Sequence, residues 1–293
     1  MWKNYLKIAS KVLMRRKFFT FVSLFGISFT LLILMVSAAA VVHMAAPARA
    51  GSKFDRSMFV ERINLKSGKM QINSSPSYYF LDRYVRSMKQ PEAVSLQSTQ
   101  SQVSVYVSDR KLGLSLKYTD DVFWDIMEFP FLEGRPYNAE MVSTAEPVAV
   151  ITDWAKRQVF GSGPAIGEYL ETTAGSYRVI GVIPKEEITT NLTSSDIYVP
   201  ITTSRWDMSN RKLYSHCLAL VLAGDKSDFG SIRGEFEQRL TQAKKDYSGE
   251  FDEIICLMGT QADLLVASLA GGAIAGEDWL ALAGMLALAV LFM

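Results

Sequence analysis

The sequence predicts an α+β extracytoplasmic domain flanked by transmembrane α-helices. The domain has two strand–helix–strand ends with an inserted β-rich module. Three observations lead there. Residues 18–44 contain no Asp, Glu, Lys or Arg and are rich in Phe, Leu, Ile, Val and Ala. Residues 1–17 carry six positive charges (Lys3, Lys7, Lys11, Arg15, Arg16, Lys17) and no acid, and the first acid of the chain is Asp55. The rest alternates between period-2 and helical patterning, while the mean hydropathy of the whole is only +0.11, too low for a chain made mainly of spanning helices.

The apolar core at 18–42 is longer than the ~30 Å hydrocarbon layer requires at ~1.5 Å per residue. Its basic flank predicts that the N-terminus stays in the cytoplasm and that the following domain lies outside. A basic block followed directly by an apolar run argues against nucleic acid as its partner and for membrane lipid. Residues 1–17 form an amphipathic basic helix in this reading: Trp2, Tyr5, Leu6, Ala9, Val12 and Leu13 share one face, and Lys3, Lys7 and Lys11 another. A cleaved signal is the competing reading, since Ala48-Arg49-Ala50 resembles a cleavage site and Arg15-Arg16-Lys17-Phe18-Phe19 a twin-arginine signal. Signal h-regions run only about 7–15 residues, which favours an uncleaved span at 18–44. Trp279 heads a second apolar run at 280–293. That run predicts the incomplete opening of a second spanning helix at 279–293, and the sequence is expected to be part of a longer chain.

Between these segments, residues 51–260 read as mixed α and β. Strands are predicted at 58–65, 103–107, 112–118, 148–151, 168–172, 177–183, 197–201, 216–222 and 251–257, from β-prone or alternating residues. Asp109 contributes to the turn between the second and third. Helices are predicted at 76–89, 120–129, 153–159 and 228–247. Asp120 or Thr119 is expected to cap the second and Asp153 the third. Strand–helix–strand units thus lie at about 56–108 and 215–258, with a strand-rich module at 120–205 between them.

The residues that could carry chemistry do not assemble. No P-loop is present. Gly161, Gly163 and Gly167 lack dinucleotide-binding spacing and read as a backbone turn. The two histidines are His43, at the outer edge of the apolar run, and His216, beside Cys217 with side chains expected on opposite faces. Asp120, Asp121, Asp125 and Glu128 are expected to be helix-start charges on a solvated face. Phe123, Trp124, Phe129 and Phe131 are expected in the core. Cys217 and Cys256 are expected to be free and buried, with a single bridge as the alternative. The Asn191 sequon matters only in a glycosylating host. No catalytic, cofactor-binding or metal-ligating residue is assigned.

Short motifs follow one another along the chain. They begin with Lys3-Asn4-Tyr5-Leu6-Lys7-Ile8-Ala9 and the Arg15–Phe19 block. They continue through Phe123-Trp124-Asp125-Ile126-Met127-Glu128-Phe129-Pro130-Phe131-Leu132-Glu133-Gly134-Arg135, Val148-Ala149-Val150-Ile151-Thr152 and Phe160-Gly161. Pro164-Ala165-Ile166-Gly167, Tyr177-Arg178-Val179-Ile180-Gly181-Val182-Ile183 and Asp196-Ile197-Tyr198-Val199-Pro200 complete the series. Their order resembles MacB-type ABC transporter permeases, a group that includes FtsX-like proteins.

The resemblance implies a permease in the bacterial inner membrane. Its periplasmic core domain would have a porter-like part (51–119 and 206–260) and an inserted β-rich module (120–205). It implies a cytoplasmic ABC ATPase subunit that binds the ATP, a second permease copy, identical or not, and in some systems a periplasmic adaptor. The implied activity is export of a hydrophobic or peptide-like substrate, driven by movement passed from the ATPase to the periplasmic domain. The alternatives are an FtsX-like regulator of an envelope hydrolase, an extracytoplasmic ligand-sensing receptor and a secreted domain.

Overall fold

The computed structural model describes residues 15–45, 53–107, 110–185 and 192–269. The expected helix at 1–14, the cleavage-like site at 48–50, the turn at Asp109, the Asn191 sequon and the apolar run at 279–293 lie outside these residues. The chain divides into two compact units, Met1–Ala46 and Pro47–Met293.

Among its described residues the first unit contains one helix, α1 (Lys17–Ala45), whose segment Lys17–Val36 is long and apolar enough to cross a membrane. Phe21, Phe25 and Phe29 lie four residues apart, and their rings stack at 6.0 and 5.9 Å. The Thr30 hydroxyl donates to the Gly26 carbonyl at 2.8 Å, so a polar side chain is satisfied within the helix.

In the second unit, thirteen strands among the described residues join in one mixed sheet. They are β1 (Ser57–Ser67), β2 (Met70–Pro76), β3 (Ala93–Ser98), β4 (Ser101–Val107), β5 (Arg110–Thr119), β6 (Glu133–Gly134) and β7 (Val148–Thr152). They continue with β8 (Tyr169–Glu171), β9 (Ser176–Ile183), β10 (Ile197–Pro200), β11 (Tyr214–Ser215), β12 (Cys217–Leu222) and β13 (Glu253–Gly259). The helices are α2 (Tyr78–Phe80), which runs into a π-helical segment Leu81–Arg86, α3 (Val122–Met127), α4 (Ala139–Ser143), α5 (Asp153–Phe160), α6 (Phe229–Asp246) and α7 (Gln261–Leu269). β12 lies antiparallel between β1 and β3. β3 meets β5 through one pair, Gln97 with Thr119. Beyond it β5 runs parallel to β10, and β7 runs antiparallel to β10 and parallel to β9.

Two hydrophobic cores form along this sheet. One packs α6 and the π-helical segment through Leu81, Val85, Ile232, Phe236 and Leu240 onto Met58, Val60, Ile63 and Leu65 of β1. The other gathers Phe123, Trp124, Tyr137, Val150, Val179 and Tyr198. β12 serves both: Leu218, Leu220 and Leu222 enter the second core, and Cys217, Ala219 and Val221 the first. A strand buried on both faces needs an unbroken apolar run, and Cys217–Leu222 is one.

The expected strands recur within a few residues, but β2, β3 and the two-residue strands β6 and β11 were not expected. β2 is polar and largely exposed or half-buried, and β3 interleaves the buried polar residues Ser95, Gln97 and Ser98, so neither shows an apolar period. The helix expected at 76–89 begins later, because Pro76 still pairs with Tyr214 and Ser77 caps the turn by accepting from the Phe80 N–H at 3.0 Å. Thr152 caps α5, not Asp153: its hydroxyl accepts from the Ala155 N–H at 3.1 Å. Asp153 instead binds Arg157 at 2.6 Å and the Lys185 N–H at 2.9 Å.

Gly134 explains part of the Leu132–Arg135 motif. Its φ is +69°, and a Cβ there would lie 2.0 Å from the Ile180 carbonyl oxygen. That approach lets the Leu132 and Arg135 N–H groups bond Val182 and Ile180 of β9 at 2.8 and 3.1 Å. Gly134→Ala meets both a backbone clash and the wrong φ. It is expected to cost at least about 2 kcal/mol, read as a lowered urea midpoint.

Cys217 and Cys256 are free and buried. β12 and β13 pair opposite edges of β1, since Phe59 faces both Leu220 and Gly259. Two strand spacings put the cysteine backbones ~10 Å apart, beyond the ~7 Å a disulfide spans. Burial pushes the Cys217 thiol up to about 12 and holds Cys256 well above the usual thiol range. Both thiols are expected to ignore a thiol-specific chromogenic disulfide reagent at pH 8 until denaturant unfolds the domain, when both react.

Candidate functional site

The two cores meet at β3, where the ladder to β5 is narrowest, and an ion pair with a buried carboxylate and a half-buried guanidinium crosses the gap. Asp120 follows β5 and is 4% exposed. One carboxylate oxygen accepts from the Ser95 hydroxyl at 2.6 Å and the Phe123 N–H at 3.2 Å. The other accepts from the Leu96 N–H at 2.8 Å and Arg86 Nη2 at 2.7 Å. The Asp120 N–H closes the set by donating to the Leu96 carbonyl at 3.2 Å. Four donors fill the accepting capacity of the carboxylate. It therefore ties the start of α3 to β3 and to the π-helical segment.

Arg86 ends that segment. π-turns are rare and often mark functional positions. Arg86 Nη1 donates to Asp82 at 3.0 Å and to the Tyr78 hydroxyl at 3.2 Å, and the guanidinium lies over the Tyr78 ring at 5.8 Å. Burial raises the pKa of Asp120, and the Ser95, Leu96 and Arg86 bonds oppose that rise. Thr119 and Tyr137 share a hydroxyl–hydroxyl bond beside it. Burial, against the opposing Thr119 bond and with the nearby Asp120 charge, takes the Tyr137 phenol well above its usual range, and it stays neutral.

The expectation of a solvated acidic face is therefore corrected for Asp120, whose side chain turns inward to meet its four donors. Asp121 is half-buried, while Asp125 and Glu128 are exposed. Lys53 pairs with Glu128 at 3.3 Å and donates to the Asp125 carbonyl at 2.9 Å. Phe123, Trp124 and Phe129 are core residues, with Phe131 packed against them. Trp124 contacts Tyr137, Tyr198 and Phe131 at ring distances of 5.2, 5.5 and 5.6 Å. His216 is exposed just before β12. Gly161 and Gly167 take positive φ at the end of α5 and before β8, as turn residues. Among the described residues no group of three His, Cys, Asp or Glu could hold a metal ion.

Beside the ion pair opens a cleft of about 400 Å³, with Arg86, Ala93 and Val94 on one side and Val122, Val142 and Ile201 on the other. Tyr78 and Trp206 pack against both cores, and Trp206 meets Tyr118 edge-on at 5.0 Å. The sequence reading missed Arg86, Ser95 and Trp206. The four-residue spacing of Tyr78, Asp82 and Arg86 was the one visible hint, and it places a basic–acidic–aromatic stripe on the expected helix.

The arrangement is mechanical: a saturated carboxylate has no lone pair left for proton transfer, and it cross-links two packed layers. The class is thus a two-core α+β domain that follows, in the chain, a helix apolar enough to cross a membrane. Residues 27–239 match the family described as MacB-like periplasmic core domain, and the chain belongs to that family. Such domains belong to MacB/FtsX-type ABC transporter permeases, are generally not catalytic and imply an ABC ATPase partner.

Solved structures share the fold. The periplasmic region of MacB from Actinobacillus actinomycetemcomitans is 15% identical with a TM-score of 0.51, over 75% of this chain and 94% of that one. The extracellular domain of the ABC-type transporter YknZ from Gram-positive bacteria is 14% identical with a TM-score of 0.50, over 68% and 99%. A domain of a putative permease protein from Porphyromonas gingivalis is 13% identical with a TM-score of 0.51, over 71% and 91%. No curated protein matches the sequence.

Asp120→Ala leaves the buried Ser95 hydroxyl and Leu96 N–H without their acceptor, while Arg86 keeps Asp82, and is expected to cost about 2–4 kcal/mol. In hydrogen exchange, the amides of β3 and α3 should lose protection ahead of those of α6. Uniform loss across the domain would contradict a junction role.

Proposed function

We propose that this chain is a permease subunit of a MacB-type ABC transporter, held in the bacterial inner membrane by α1 with its N-terminus in the cytoplasm. The observation that carries the reading is the family match over 27–239, which starts inside α1 and ends inside α6. The cytoplasmic ATPase subunit hydrolyses ATP, and a second permease copy completes the pair. Closure of the ATPases passes through the helices to the periplasmic domain, which drives a hydrophobic or peptide-like substrate outward, in some systems into a periplasmic adaptor. A rigid-body stroke of this kind needs no catalytic residue.

In this reading 51–119 and 206–260 form the porter-like part and 120–205 the inserted module. Val103, Val105, Leu114 and Leu116 of the β4–β5 hairpin pack in the same core as the module. In this reading the Arg86–Asp120 pair links the porter-like part to the start of the module.

Topology tests the reading. Gly113 is exposed, with nothing within 4 Å of a Cβ placed on it. In cells with a permeabilised outer membrane, Gly113→Cys is expected to react with an impermeant maleimide and Lys3→Cys only after lysis. An ABC ATPase should co-purify from the same membranes. Protection of Gly113→Cys, or labelling of Lys3→Cys from outside, would overturn the assignment.

A further inference from the structure

The loop 204–213 carries the chain from the end of β10 back to β11, and it is a built feature. The Leu213 carbonyl accepts from the Ser77 N–H at 3.0 Å, and the Arg211 carbonyl accepts from the Tyr247 hydroxyl at 2.8 Å. Asp207 accepts from the Ser209 hydroxyl at 2.6 Å and the Ser209 N–H at 3.0 Å, and these two bonds hold its pKa below the usual carboxylate range. Asn210 accepts from the Lys212 N–H at 3.0 Å.

Against this loop lies a groove of about 430 Å³, within the ~300–1,000 Å³ range of small-molecule sites. Its walls are aromatic: Trp206, Tyr78, Tyr79 and Tyr214, with the Met208 thioether beside them. Rings of this kind offer broad apolar faces at low cost in side-chain entropy, and Met adapts to irregular shapes.

Three donor groups in the groove stand unengaged. The Trp206 indole N–H, the Tyr214 hydroxyl and the Lys212 ammonium make no hydrogen bond or ion pair among the described residues. The acid in the groove, Asp207, is occupied by its own loop. A second trough of about 650 Å³ shares Tyr79, Asn210 and Lys212 with the first. It adds Arg211, which makes no ion pair among the described residues, and the acids Asp246 and Glu250. Arg83 and Asp246 in the same trough already face each other at 3.6 Å.

We propose that the aromatic groove binds an amphipathic organic anion. The flat apolar body lies between Trp206 and the tyrosines, and its carboxylate or sulfonate meets Lys212, with Arg211 adding charge from the second trough. An anion accepts from the unpaired donors that a neutral hydrocarbon would leave buried and unmet. The site is separate from the Arg86–Asp120 junction, although Tyr78 borders both.

The test uses the full chain in lipid nanodiscs and N-dansyl-phenylalanine as probe, followed by fluorescence anisotropy against empty nanodiscs. Saturable binding is expected, with the uncharged dansyl-phenylalaninamide binding at least about fivefold more weakly. Lys212→Glu changes an exposed side chain and should weaken the acid about tenfold or more, with an unchanged melting temperature. Trp206→Ala should abolish binding, and Lys226→Glu, outside both troughs, should leave it intact. Binding no stronger than to empty discs, equal binding of acid and amide, or an unchanged Lys212→Glu would each overturn the proposal. No ATPase enters the assay, so its failure leaves the permease reading standing, and failure of the topology test leaves the groove standing.

Discussion

Asp120 stands at the narrowest join among the described strands of a long sheet. Between β3 and β5 only Gln97 and Thr119 pair, so the sheet's two halves depend on side-chain bonds to stay in register. A carboxylate suits that position because it accepts from several donors at once, and three different elements supply them. The carboxylate is tied to β3, α3 and the π-helical segment, and Arg86 supplies the opposite charge that a buried anion requires. The two-core architecture is built around this junction.

On either side of it the structure is held by ordinary burial. β12 and the first half of β1 are apolar on both faces, because each face serves a different core. Each fully buried Leu or Val contributes about 1.5–3 kcal/mol, so a short double-sided strand is a strong link between bodies that otherwise pack separately. The Gly134 crossing and the aromatic cluster around Trp124 stiffen the second core. Two stiff bodies joined at a narrow, polar seam suit a domain that transmits movement, since packed cores shift as units.

Most strands were legible because their residues alternate or run apolar: Tyr177–Ile183 and Cys217–Leu222 announce themselves. β3 was not legible, because its Ser95, Gln97 and Ser98 are polar and yet buried, and the partners of the two serines, Asp120 and the Tyr118 N–H, come from distant segments. The four acids at 120–128 looked alike in sequence. Their fates differ because Asp120 sits at the end of a buried strand within reach of Ser95 and Arg86, which are 25 and 34 residues away along the chain. Trp206 lies in a loop without periodicity, so nothing local marked it as a residue that packs against both cores.

The sequence by itself determined the apolar helix with its basic flank, the mixed α and β content and the family, because hydropathy, charge and motif order are properties of neighbouring residues. Tertiary structure alone decided which acid is buried, that the cysteines lie on opposite edges of β1, and where the seam runs. Those outcomes depend on pairings between distant segments, and the free energy of a buried charge or a shared core is set by what lies across the contact, which no local pattern records.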